Sequence, residues 1–190
     1  MPANSKTLHL TFDDGPIHEV TPWVLDQLKN YNARATFFCI GDNVKKNPDL
    51  LKQMLEANHS IGNHTMHHLN GWLTPNQKYF DDIVACKKYV QSELFRPPYG
   101  KIKRTQALRL KKEFKIVMWD VLSKDYNPSF SGEQCFENVK QSARPGSIIV
   151  FHDSLKAEKR LRVALPATLK YFSDQGYSFA SIKFEYPPLV

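Results

Sequence analysis

The sequence predicts an α/β protein built from parallel β/α units, arranged as an open sheet or a barrel. Three observations carry this. Short β-rich runs alternate with amphipathic helical stretches of about ten residues or more. Ala33–Ile40 is a β-rich run that reads as a buried strand, and Ser147–Phe151 is a strongly apolar strand. The residues with chemical potential follow directly after such runs, at strand C-terminal ends, where parallel β/α folds collect function.

In chain order, Thr7–Phe12 reads as a strand with Leu8, Leu10 and Phe12 on one side. Thr21–Asn30 reads as a helix with an apolar stripe of Val24, Leu25 and Leu28. After the Ala33–Ile40 strand, Pro48–Ala57 reads as a helix presenting Leu51 and Leu55, and Ser60–Asn63 returns to an extended state. Thr74 and Pro75 open a helix running to about Ser92. Ile116–Asp120 reads as a strand, and Ser131 with Gln134 as a capping box opening a helix to about Ser142. Pro145-Gly146 turns into the Ser147–Phe151 strand, and Leu161–Gln175 is the last helix, stopped by Gly176 before a strand at Tyr177–Ile182.

The 190 residues fit one domain, 1–190, with a core of about 7–183. Hydrophobic content of 42% and charged content of 24% describe a soluble globular protein. Cys39, Cys86 and Cys135 match neither a disulfide framework nor a metal knuckle, and Cys39 reads as a small buried thiol. No stretch has the length of a membrane span, so membrane insertion is not expected. The opening Met1–Lys6 carries no apolar leader core. The expected location is cytoplasmic as the chain stands, or extracellular and cell-wall-associated where a leader has been removed. A formal charge of +7 favours anionic partners. Its densest basic run, Lys101–Lys115, lacks interleaved aromatics and reads as a solvated helix face, not a nucleic-acid groove.

Asp13-Asp14-Gly15-Pro16 ends the first strand. Taken alone it is an ordinary turn composition, but adjacent carboxylates after a buried strand are costly unless a cation or partner absorbs one. His64-Thr-Met-His-His68 supplies imidazoles four apart, a spacing that puts His64 and His68 on one side of a helical turn, with His67 offset. One carboxylate and two histidines make a three-ligand set with an open position, leaving the other carboxylate as a base. Arg96 stands between Phe95 and two prolines, where its fork can hold Asp13. His152 ends an apolar strand and is suited to a general acid.

These groups, in this order, resemble the polysaccharide deacetylases of carbohydrate esterase family 4, the NodB homology domain. The matching segments are Thr11-Phe-Asp-Asp-Gly15, His64-Thr-Met-His-His68, Arg96-Pro-Pro-Tyr99, Asp125-Tyr126 and Val150-Phe-His152. Two positions depart from the family pattern: Tyr126 stands for a tryptophan and Val150 for a leucine. The resemblance implies a distorted (β/α) barrel and hydrolysis of the N-acetyl group on N-acetylglucosamine units of chitin, chitooligosaccharide or peptidoglycan. It implies that Asp14, His64 and His68 hold one divalent metal, zinc before cobalt or another ion. Asp13 is then the general base and His152 the general acid. Arg96 tethers Asp13, and Asp125 tunes His152, with Asp120 the competing candidate. The Tyr99 N–H assists the oxyanion, and Pro97, Tyr99, Tyr126 and Val150 contact the substrate of a monomeric enzyme. Competing expectations are hydrolysis of an O-acetyl ester or cyclic imide at the same site, and a non-catalytic glycan-binding domain.

Overall fold

The computed structural model describes residues 6–183. The Met1–Lys6 stretch read for a leader therefore lies almost wholly outside the described residues. Eight strands, all paired in parallel, form one curled sheet. They are β1 (Thr7–Asp13), β2 (Thr36–Cys39), β3 (Ser60–Asn63), β4 (Leu94–Phe95), β5 (Lys115–Ile116), β6 (Val121–Leu122), β7 (Ile148–His152) and β8 (Ser178–Phe179). The order is β5-β4-β3-β2-β1-β7-β6, with β8 also on β1. Around it lie α1 (Thr21–Asn30), α2 (Gly41–Lys46), α3 (Pro48–Glu56), α4 (Asn76–Lys87), α5 (Arg104–Leu110), α6 (Gly132–Ser142) and α7 (Leu155–Asp174).

The expected strand Ile116–Asp120 does not form as one element. The chain leaves β5 on one edge and enters β6 on the opposite edge after only Val117–Asp120. Five peptide steps reach at most about 18 Å, so the two edges must lie close together. The sheet is therefore rolled towards a half-barrel, the distorted (β/α) barrel expected from the resemblance.

At its centre, β1 is buried on both faces: Leu8, Leu10 and Phe12 on one, His9 and Thr11 on the other. Phe12 stacks between Phe37 at 5.0 Å and Phe151 at 6.0 Å, and these are its register partners on β2 and β7. The aromatic ladder locks the register, because a one-residue slip would turn every ring to the other face. The same register sets Asp13 beside His152 at the C-terminal ends of β1 and β7.

Other boundaries shift for local reasons. In α3 the buried residues are Leu50 and Met54, while the expected Leu55 is exposed: the helix is turned by one position. Thr74 does not cap α4; its hydroxyl donates to the Asn70 carbonyl at 2.7 Å. The α6 capping box forms as expected, with Ser131 Oγ accepting from Gln134 N–H and Gln134 Oε1 accepting from Ser131 N–H. Helix α7 begins at Leu155, about two turns before the expected Leu161. Gln106 and Leu110 of α5 face inward and its basic residues face solvent, as a solvated helix face requires. All three cysteines are buried and free. Among the described residues no helix is long and apolar enough to cross a membrane.

Candidate active site

Asp13 ends β1 and is almost fully buried. Its Oδ1 lies 2.7 Å from Arg96 Nη1. Arg96, just after β4, has no exposed surface and lies with its guanidinium 4.0 Å from the centre of the Phe38 ring. It donates to Thr11 Oγ1 at 2.7 Å and to the carbonyls of Val117 at 3.1 Å and Met118 at 3.2 Å. Those carbonyls belong to the crossing between sheet edges, so one side chain ties the roll of the sheet to Asp13. Burial pushes the Arg96 pKa down, opposed by the Asp13 carboxylate.

Asp14 has a left-handed backbone (φ 87°), which breaks strand alternation and lets its side chain line the same cavity as that of Asp13. Asn43 Nδ2 donates to its carbonyl at 2.7 Å. Next to it, Gly15 N–H donates to Asp153 Oδ1 at 3.1 Å, and Thr21 Oγ1 donates to Asp153 Oδ2 at 2.7 Å. A Cβ on Gly15 would lie 1.9 Å from that carboxylate, so only glycine admits this clamp. Burial raises the Asp153 carboxyl to about 7, with the two donors pulling the other way.

The His64–His68 segment is a loop, not the helical turn that its spacing predicts. Thr65 and His68 have positive φ, 64° and 55°, and the chain doubles back to set the two rings 5.1 Å apart. Asp82 of α4 pins the loop by accepting from the N–H groups of Met66 at 2.8 Å and His67 at 3.0 Å. His67 Nδ1 is 2.6 Å from Asp82 and its ring faces outward, away from the ligand set.

His64 Nδ1 meets the Arg96 carbonyl at 2.8 Å, so Nδ1 carries the proton and Nε2 presents its lone pair. Burial lowers the His64 pKa to about 4, leaving the neutral imidazole that metal binding needs. Asp14 Oδ1 lies 3.2 Å from His68 Nε2 and 3.8 Å from His64 Nε2. Burial pushes the Asp14 carboxyl up, but the His68 hydrogen bond and the nearby imidazoles outweigh it and hold the carboxyl well below the usual range. One donor atom from each of the three residues falls within 4.8 Å of the others. A buried neutral imidazole of fixed tautomer, a second imidazole and an ionised carboxylate fit a divalent cation with positions left for water or substrate.

Opposite this set, His152 Nδ1 lies 2.7 Å from Asp125 Oδ1, and its N–H donates to Asp125 Oδ2 at 2.8 Å. Burial would lower the His152 pKa, but fully buried Asp125 and, further off, Asp13 and Asp14 raise it to about 9. Asp120 is elsewhere: it accepts from Ser147 Oγ and Ile148 N–H. The carboxylate behind His152 is Asp125.

A cavity of about 470 Å³ joins these groups, lined by Asp13, Asp14, His64, His68, Tyr99 and His152, with Trp119, Leu122, Tyr126, Val150 and Lys156. Tyr99 sits on a single 3₁₀ turn (Pro98–Gly100) with φ 59°, its ring 4.6 Å from that of His68. The Tyr126 ring meets His152 edge-on at 5.2 Å. Pro97, expected to touch substrate, does not line the cavity; its carbonyl accepts from Gly100 N–H and shapes the turn that carries Tyr99. Trp119, Leu122 and Lys156 are not among the sequence-predicted site residues, and Asp153, though it follows His152 at a strand end, carries no predicted role there. For Asp153, the signal is a buried carboxylate directly after His152 at the end of the apolar β7 run.

The polysaccharide deacetylase family profile matches residues 1–118. A Bacillus cereus peptidoglycan-N-acetylglucosamine deacetylase is 38% identical over 96% of this chain and 89% of its own length. The Listeria monocytogenes peptidoglycan-N-acetylglucosamine deacetylase PgdA is 35% identical over 94% of this chain, which spans only 38% of that longer protein. A peptidoglycan N-acetylglucosamine deacetylase crystallised in complex with an N-oxidanyl-benzamide superposes with a TM-score of 0.89, at 32% identity, over 95% of this chain and 88% of that one. By its five motif groups, its rolled parallel sheet and these matches, the chain belongs to the polysaccharide deacetylase family.

Proposed function

We propose that the protein is a zinc-dependent deacetylase that removes the N-acetyl group from N-acetylglucosamine units of peptidoglycan, releasing acetate and a free amino sugar. The observation that carries this is the convergence of the Asp14–His64–His68 donor set with two buried ion pairs, Asp13–Arg96 and His152–Asp125, around one cavity. Peptidoglycan is favoured over neutral chitin by the names of the relatives and by the positive charge of the chain. We read the enzyme as a monomer, and a peptidoglycan substrate assigns it to the cell wall.

A zinc ion held by Asp14, His64 and His68 would supply Lewis-acid polarisation of the amide carbonyl and acidify the attacking water. The remaining work falls to the protein. Asp13, held by Arg96, takes a proton from that water as general base. The backbone N–H of Tyr99 stabilises the negative charge that develops on the carbonyl oxygen. His152, kept protonated by Asp125, delivers a proton to the departing nitrogen, which as an amide anion would be a very poor leaving group. Tyr126, Leu122 and Val150 form an apolar wall suited to the acetyl methyl.

The test is mass spectrometry of muropeptides from peptidoglycan treated with the protein. Loss of acetyl from N-acetylglucosamine supports the assignment. Acetyl loss confined to neutral chitooligosaccharides, or to ester-linked acetyl groups, overturns it.

A further inference from the structure

Within the cavity the charged groups are matched to one another, with one exception. Asp13 is paired with Arg96, Asp125 with His152, and Asp14 with the imidazoles of its own set. Lys156 is the only lysine or arginine among the described residues that line the cavity, and no described carboxylate lies within ion-pair distance of it. Its Nζ stands 5.9 Å from the centre of the Tyr126 ring, and that ring lies 5.2 Å from the ring of His152.

Helix stability does not account for this lysine. It occupies the first turn of α7, the positive end of a 20-residue helix, where a cation is disfavoured. The acidic residue of that turn, Glu158, pairs with Arg162 further along the helix. An unpaired ammonium at a helix N-terminus, at the wall of a glycan cavity, is suited to an anion brought by the ligand. Lys156 lines the same cavity as His152 and Tyr126, so its ammonium is available to a glycan held there.

We propose that Lys156 is a specificity-determining residue that pairs with a carboxylate on the glycan beside the sugar being deacetylated, so that the site prefers an acidic glycan to a neutral one. This rests on the deacetylase function proposed above and names the chemical class of its substrate.

The experiment measures kcat/KM for acetate release from two oligosaccharides of equal length. One is neutral poly-N-acetylglucosamine; the other alternates N-acetylglucosamine with a sugar bearing a lactyl carboxylate. Lys156→Met keeps the apolar stem over Tyr126 and removes the charge; Lys156→Arg keeps the charge. The acidic-to-neutral preference is expected to fall about fivefold in Lys156→Met, through KM, as loss of one partly exposed ion pair implies. Lys156→Arg should retain it, and added salt should erode it in the parent protein. An unaltered preference in Lys156→Met, or equal losses on both glycans, overturns the inference alone. No release from either glycan overturns the deacetylase function and this inference with it.

Discussion

Arg96 Nη1 lies 2.7 Å from Asp13 Oδ1, and the same guanidinium holds the carbonyls of Val117 and Met118. One buried cation thus joins the proposed base to the segment that closes the roll of the sheet. Replacing Arg96 by Met strands the Asp13 carboxylate in an apolar setting, which costs about 3–5 kcal/mol. We expect that loss in chemical denaturation, with kcat lowered at least about 10²-fold, the lower end of what a positioned base contributes. Lys at this position cannot reproduce the fork and is expected to fall between the two. A fully active Arg96→Met protein would refute the tether.

Asp13 and Asp14 are adjacent but face different partners. Asp13→Asn should bind metal with near-parental stoichiometry and lose about 10²–10⁴-fold in kcat. Asp14→Asn and His64→Ala should lose the metal itself. Elemental analysis after dialysis distinguishes the two outcomes. Equal metal content in all three variants contradicts the division of roles.

The proposed acid has a pKa of about 9, because Asp125 and the more distant carboxylates outweigh burial. Activity that needs protonated His152 should therefore hold through neutrality and decline as pH rises through about 9. In Asp125→Asn the largest raising influence is gone and burial still acts, so the alkaline limb should move down, towards or below 6.5. The folded-state pKa is raised, so the stability contributed by the pair is complete below about 6.5 and is lost as pH rises through about 9. A pH–rate profile with the same alkaline limb in both proteins would remove His152 from the role of acid.

Gly15 is expected to tolerate no side chain. The Cβ of Gly15→Ala would overlap the Asp153 carboxylate and break the bond that orients the Asp14 loop. Metal affinity should fall tenfold or more while circular dichroism still reports an α/β fold. Thr21→Val removes a single donor to Asp153 and is expected to have a smaller effect in the same direction. Unchanged metal affinity in Gly15→Ala would show that the clamp does not position Asp14.

Strands β1 and β7 were legible because each is an apolar run ending in a chemically conspicuous residue, Asp13 and His152; β3 was legible only as a short extended piece before His64, and the two-residue β4 before Arg96 was not read as a strand. What stayed hidden depends on three-dimensional closure. Ile116–Asp120 has the composition of a strand, yet its last residues bridge two sheet edges, a fact set by strand order and not by local propensity. The spacing of His64 and His68 fits a helix, but positive φ at Thr65 and His68 brings the rings together by a different path. The early start of α7 is masked by its polar first turns, and that extension is what carries Lys156 to the cavity wall. Pro97 matches a family motif, and the structure shows its carbonyl accepting from Gly100 N–H in the turn that carries Tyr99.

The most direct test of the metal-dependent site is acetate release from peptidoglycan by metal-stripped protein titrated with zinc. With Asp14, His64 and His68 as the ligand set, the rate should start near zero, rise in proportion to added zinc and break at one equivalent. Asp14→Asn should stay near zero throughout. A stripped protein that releases acetate at the full rate, or an Asp14→Asn protein that is restored to it, would contradict the assignment.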